Sequence, residues 1–134
     1  MPGERLVVLY DEDCRWCRWS VARLVELDRS RRLRLVPIQG EEGDRLLASV
    51  PEDERMASAH AVTPDGKVFS GGDAAAPIAG VLPALSISAP LLRAIPGPTR
   101  SAYRLVADNR SRLGARLSPV AMAKADRLIA SRRD

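Results

Sequence analysis

Leu6-Val7-Val8-Leu9-Tyr10-Asp11-Glu12-Asp13-Cys14-Arg15-Trp16-Cys17 is the stretch that decides how this chain is read. Its first five residues are an unbroken apolar run with β-branched Val7 and Val8. A run this short fits a strand buried on both faces rather than a helix. Three acidic residues then turn the chain. Cys14 and Cys17 follow, spaced CxxC, and they are the only two cysteines in 134 residues. A CxxC between a first strand and a first helix reads as a thiol-disulfide redox motif.

The next segments extend the pattern. Arg15 to about Asp28 is helical, with Cys17, Val21, Leu24 and Val25 as its inward stripe. Asp13 is the expected N-cap of that helix. Leu33–Ile38 reads as a second strand, which completes a βαβ unit with parallel strands and a right-handed crossover. Residues 40–49 suggest a short helix, and 51–55 a polar connector. Ala59–Thr63 and Val68–Ser70 flank a Pro-Asp-Gly turn and predict a hairpin. Gly71-Gly72 breaks the chain, and Asp73 is the expected cap of a helix through Leu82. The order β-α-β-α-β-β-α matches a thioredoxin-like layout, a central four-stranded mixed sheet with helices on both faces.

Four prolines divide residues 83–98 into short pieces. Thr99–Leu113 is expected to form one helix with Ala102, Leu105, Val106, Asn109 and Leu113 on one face. Ser118-Pro119 marks the start of a last helix. The expected organisation is one domain over 1–134, with a core of about 5–82 and a helical extension of about 84–134.

Composition narrows the function classes. No apolar run approaches a membrane span, and Met1–Arg5 leads into the first strand without a signal peptide, so a cytoplasmic protein is expected. In that compartment a cysteine pair is more often catalytic or metal-binding than structural. The net charge of +4 is uneven: residues 93–134 carry ten basic and three acidic side chains. This is read as a pair of solvated Arg-rich helices. Nucleic-acid binding ranks lowest, because no aromatic residues are interleaved with the basic ones in a binding motif.

The chemistry rests on the pair. The positive end of a helix dipole favours thiolate at Cys14, and Arg15 and Arg18 are expected to add cationic charge nearby. Asp11, Glu12 and Asp13 oppose it. Cys14 is the expected attacking thiolate and Cys17 the resolving thiol, with exchange through a mixed disulfide. Asp13 is also a candidate proton acceptor. Two other readings stay open: small buried core residues, or zinc. With His60 as the sole histidine, three ligands can be assembled where a structural zinc site needs four, unless two copies share a site. His60 itself reads as a strand residue. Trp16 and Trp19 share a helix face with Arg23, either as a docking surface or packed under the C-terminal helices.

Tyr10-Asp11-Glu12-Asp13-Cys14-Arg15-Trp16-Cys17 resembles the YDGDCxxC signature of the DCC-type thiol-disulfide oxidoreductase family. His60–Val68, Gly71-Gly72-Asp73-Ala74 and Tyr103-Arg104-Leu105-Val106-Ala107-Asp108-Asn109-Arg110 resemble that family's later segments, in the same order. The resemblance spans about residues 6–113. It implies a thioredoxin-like fold and thiol-disulfide exchange through Cys14 and Cys17 with Asp13. Trp16, Asp11 and Asp73 are candidate substrate contacts. Glu12 stands where the family has Gly. No proline precedes the Ala59 strand, where thioredoxins place a cis-proline against the disulfide. No flavin or nicotinamide cofactor is expected, since no GxGxxG follows a strand, and no metal, since one His and two Cys fall short of a structural zinc set. The expected partners are a protein or small-molecule thiol or disulfide and an upstream thiol reductant, with no membrane. The competing reading is a non-catalytic module that binds a partner through the Trp face or the basic helices.

Overall fold

A computed structural model describes residues 5–133 of the chain. The reading of residues 1–4 lies outside the described residues. Strand β1 (Leu6–Tyr10) is buried along its whole length. It pairs in parallel with β2 (Leu33–Pro37) and antiparallel with β3 (His60–Val62). Strand β4 (Val68–Ser70) adds antiparallel to β3, giving the order β2-β1-β3-β4. Between the strands lie α1 (Arg15–Leu27), α2 (Glu41–Leu46) and α3 (Glu52–Arg55). This is the expected mixed four-stranded sheet flanked by helices, a thioredoxin-like α/β fold. The stretch 51–55, expected as connector, instead closes one helical turn after Pro51.

The alternation along β1 separates two apolar layers. Leu6, Val8 and Tyr10 pack with Leu33, Leu35 and Ala61 against Val21 and Val25 of α1 and Leu82. Val7 and Leu9 point the other way, onto Val36, Ile38, Leu47 and Val62. After β4 come a tight 3₁₀ turn (Gly71–Ala74) and then α4 (Ala75–Val81), α5 (Ala89–Ala94), α6 (Pro96–Asp108), α7 (Arg110–Ala115) and α8 (Pro119–Ala130). Ser118 caps α8 as expected, accepting from the Ala121 amide at 3.1 Å.

Two expectations about this half need correction. The cap of α4 is Ala74, not Asp73. Asp73 lies inside the 3₁₀ turn, where its carboxylate grips Arg100 at 2.7 and 3.1 Å. The helix expected over Thr99–Leu113 begins earlier, at Pro96, and breaks at Asn109 into α6 and α7. The Asn109 amide side chain donates to Leu105 O at 2.8 Å, which takes up a carbonyl where α6 ends. The inward face is only partly the expected one: Asn109 and Leu113 are half-buried, but Ala102 is exposed, as are Leu105 at 67% and Val106 at 41%. Tyr103, Ala107 and Arg110 turn inward instead. Apolar periodicity points the wrong way here because Tyr103 and Arg110 are the side chains with hydrogen-bond partners on the sheet side.

The 84–134 segment is no loose appendage. Ile129 of α8 belongs to the same apolar cluster as Val8 and Leu35. Beyond it, Arg132 O accepts from Leu35 N at 2.9 Å on the outer edge of β2. The Arg132 side chain ends on buried Asp28, with Nε 3.5 Å from Oδ2 and Nη2 donating to Asp28 O at 3.2 Å. Asp28 also accepts from the Arg32 and Leu33 amides at 2.8 and 3.0 Å. Asp28 thus ties the end of α1, the start of β2 and the segment after α8 to one carboxylate.

Candidate active site

Helix α1 is capped by Cys14 itself, not by Asp13. The Cys14 Sγ accepts from the Cys17 amide at 3.2 Å. The sulfur therefore occupies the position where a helix N-terminus best stabilises negative charge. Asp13 is exposed, and its amide donates to Asp11 Oδ1 at 3.0 Å. Both thiols are free and half-buried. Cys17 sits one turn in. Burial first, and then its hydrogen bond to Cys14, push the Cys17 thiol up to about 12. A thiol held so firmly protonated suits the second position of an exchange pair rather than the first.

The cation nearest Cys17 is Arg110, while Arg15 lines the cleft at Cys14 and Arg18 pairs elsewhere. Arg110 Nη1 lies 3.9 Å from Cys17 Sγ, and Nη2 donates to Met56 O at 3.2 Å and faces Asp11 at 4.0 Å. Its charge lowers the Cys17 thiol against burial. Arg15 is turned to α7, donating to Gly114 O at 3.1 Å and Leu117 O at 2.6 Å. Arg18 pairs with Asp126 at 3.4 Å. Two glycines bring these helices close enough. A Cβ at Gly114 would meet Trp16 N at 3.0 Å, and one at Gly72 would meet Arg100 Cα at 2.7 Å.

The acidic turn is held by Gln39, just beyond β2. Gln39 Nε2 donates to Asp11 Oδ1 at 2.6 Å, and its Oε1 accepts from the Glu12 amide at 3.2 Å. Glu12 does not adopt a positive φ, so Glu replaces Gly here without backbone strain. At the start of β3, where thioredoxins place a cis-proline, the Ala59 amide donates to Tyr103 Oη at 2.7 Å. Burial raises the Tyr103 phenol, and charge on Cys17 and Cys14 pushes in the same direction.

Cys14, Asp11, Asp13, Arg15, Arg110 and Ser111 line an open cleft of 360 Å³. Trp16 and Asp73 are not among its lining residues. Trp16 stacks on Trp19 at 4.9 Å between ring centroids, and Arg23 covers Trp19 at 5.2 Å, so all three share a face as expected. Asp73 lines a separate groove with Arg93 and Arg100. His60 is buried in the sheet with Nδ1 on Ser70 Oγ and Nε2 on Arg55 O. Among the described residues no three of His, Cys, Asp and Glu gather as metal ligands, and no helix is long and apolar enough to cross a membrane. Gln39 left no sequence signal. Arg110 was marked by its place in the Tyr-x-x-x-Ala-x-Asn-Arg segment, although surface exposure is the default for arginine.

A CxxC capping the first helix of a thioredoxin-like sheet, with the second thiol held back behind it, defines a thiol-disulfide class of site. The chain belongs to the DCC1-like thiol-disulfide oxidoreductase family, whose model matches residues 8–116. No curated protein and no solved structure matches the chain.

Proposed function

We propose that the protein is an oxidoreductase that exchanges disulfides through Cys14 and Cys17. Cys14 thiolate attacks one sulfur of a substrate disulfide, and the S–S electron pair leaves with the first substrate thiolate. Cys17 then gives up its proton and attacks Cys14 Sγ. The second substrate thiolate departs, and the protein is left with a Cys14–Cys17 disulfide that another thiol must reduce. Such a cycle suits a reducing compartment such as the cytoplasm. Arg110 stabilises the Cys17 thiolate as it forms. Asp13, exposed on the same turn, relays protons to solvent.

The observation that carries this reading is the 3.2 Å hydrogen bond from the Cys17 amide to Cys14 Sγ at the helix tip, with Cys17 withdrawn behind it. Glutathione-disulfide or insulin reduction by the reduced protein tests it. Cys14→Ser is expected to abolish the activity. Equal turnover by the two proteins would sink the assignment.

A further inference from the structure

The surroundings of Cys14 carry a statement about substrate class, which rests on the exchange reading above. A polypeptide substrate is commonly gripped through its main chain, by hydrogen bonds to a free strand end or edge. Beside this pair four main-chain groups of residues 56–59 already have partners. Met56 O accepts from Arg110 Nη2 at 3.2 Å. The Ala57 amide donates to Glu54 O at 3.2 Å, and Ala59 O accepts from Gly71 N at 2.9 Å. The Ala59 amide, at the mouth of β3, is capped by Tyr103 Oη at 2.7 Å. An extended peptide that paired with the Ala59 amide or with Met56 O would have to displace Tyr103 of α6 or Arg110 of α7.

What remains open is the charged cleft. Besides Cys14, its ionisable lining is two carboxylates, Asp11 and Asp13, and two guanidinium groups, Arg15 and Arg110, whose charges balance. The carboxylates come from the turn after β1, and Arg110 reaches in from the start of α7. Gln39 Nε2 donates to Asp11 Oδ1 at 2.6 Å and more distantly to Asp13 Oδ2 at 3.4 Å, and of the two carboxylates Asp13 is the one exposed to solvent. Arg110 has five N–H donors, and the contacts given above do not exhaust them. A cleft that lines one sulfur with both an arginine and an exposed aspartate matches a ligand with both charges close to its own sulfur.

We propose that the Cys14 cleft takes a small zwitterionic disulfide of the amino-acid type, its carboxylate on Arg110 and its ammonium on Asp13, rather than an extended polypeptide. The reaction consumes one disulfide and the protein dithiol, and yields two small thiols and the Cys14–Cys17 disulfide. In a single turnover of reduced protein the dithiol is the only reductant.

The test uses four small disulfides and one peptide. Cystine carries both charges, cystamine only ammonium, 3,3′-dithiodipropionate only carboxylate, and 2-hydroxyethyl disulfide neither. The peptide is an extended cysteine-containing decamer as its mixed disulfide with 2-mercaptoethanol. Rates of mixed-disulfide formation are measured on Cys17→Ala protein, so that resolution plays no part, and each is divided by the rate with N-acetylcysteine. Cystine is expected to lead, with each charged contact worth about two- to fivefold at an exposed site of this kind. Arg110→Met should slow cystine and dithiodipropionate relative to cystamine, whatever its effect on the series as a whole. Asp13→Asn should slow cystine and cystamine relative to dithiodipropionate, whatever its effect on the series as a whole. A flat series across the four small disulfides, or a peptide that outruns cystine, overturns the substrate class while leaving the exchange reading intact. If Cys14 reacts with all five no faster than N-acetylcysteine, the exchange reading fails first.

Discussion

Replacing Arg110 with Met should slow the step in which Cys17 resolves a mixed disulfide on Cys14. Arg110 Nη1 stands 3.9 Å from Cys17 Sγ. At an effective dielectric of about 20, a full charge pair at that distance is worth roughly 4 kcal/mol. Arg110 is 29% exposed and also faces Asp11, so solvent screening and sharing reduce this to about 1 to 1.5 kcal/mol. That is close to one pKa unit, or about tenfold in thiolate fraction below the thiol's pKa. Once Cys14 is tied in a mixed disulfide, its hydrogen bond and charge no longer hold the Cys17 proton. Burial is then opposed mainly by Arg110. The assay loads Cys14 with thionitrobenzoate and follows release of the chromophore as Cys17 attacks. At neutral pH release should slow about tenfold in Arg110→Met, and the two proteins should converge at alkaline pH where Cys17 is ionised in both. Arg110→Lys should restore part of the rate. Unchanged release across the pH range in Arg110→Met would refute the electrostatic argument.

Two further outcomes follow from the buried polar groups. Asp28→Ala leaves Arg132 buried beside no carboxylate and frees two amides, so it should cost about 3 to 5 kcal/mol. For a chain of this length that is roughly 10 to 15 °C in Tm, and Asp28→Ala/Arg132→Met should cost less than the two single changes added. A loss under about 1 kcal/mol by urea titration would contradict the burial argument. Burial lowers the His60 imidazole below its usual 6.5. The contribution of neutral His60 is then fully present above that pH and is lost as pH falls through the lower folded value. Urea midpoints should drop between pH 7 and pH 5, and His60→Phe should flatten that part of the profile.

Much of the fold is legible because local chemistry and the global layout agree in the first half of the chain. Leu6–Tyr10 is apolar at every position since the sheet buries both its faces, and the Pro-Asp-Gly turn sets the β3–β4 hairpin with little help from elsewhere. The second half is harder to read. Leu105 and Val106 suggest an inward face, but Tyr103 and Arg110 occupy it, because their partners are a main-chain amide and carbonyl around residues 56–59 that lie far away in sequence. The caps fail for a related reason. Asp13 and Asp73 are the residue types that cap helices, yet Cys14 takes one place and a 3₁₀ turn precludes the other. Within the site, the CxxC and the acidic turn are plain from spacing. Gln39 is invisible because a lone glutamine after a strand has many possible partners, and only the folded turn selects Asp11. Arg15 and Arg18 are close to the sulfurs in sequence, but α7 and α8 offer each a partner, Gly114 O and Asp126, that takes up its guanidinium.

The bond from Leu35 N to Arg132 O closes the outer edge of β2 with a piece of chain translated almost a hundred positions later. While the ribosome is still making the intervening helices, β1 and β2 can pair, but the open margin of that pair has no neighbour of its own. The nascent chain therefore passes through a stage in which an apolar parallel ribbon shows unpaired amides to its surroundings, the kind of surface on which strands from other chains can add. Arg132 then works as a late latch. Its carbonyl seals the margin and its guanidinium locks onto the Asp28 carboxylate in one event, so aggregation during synthesis should track how soon this residue arrives.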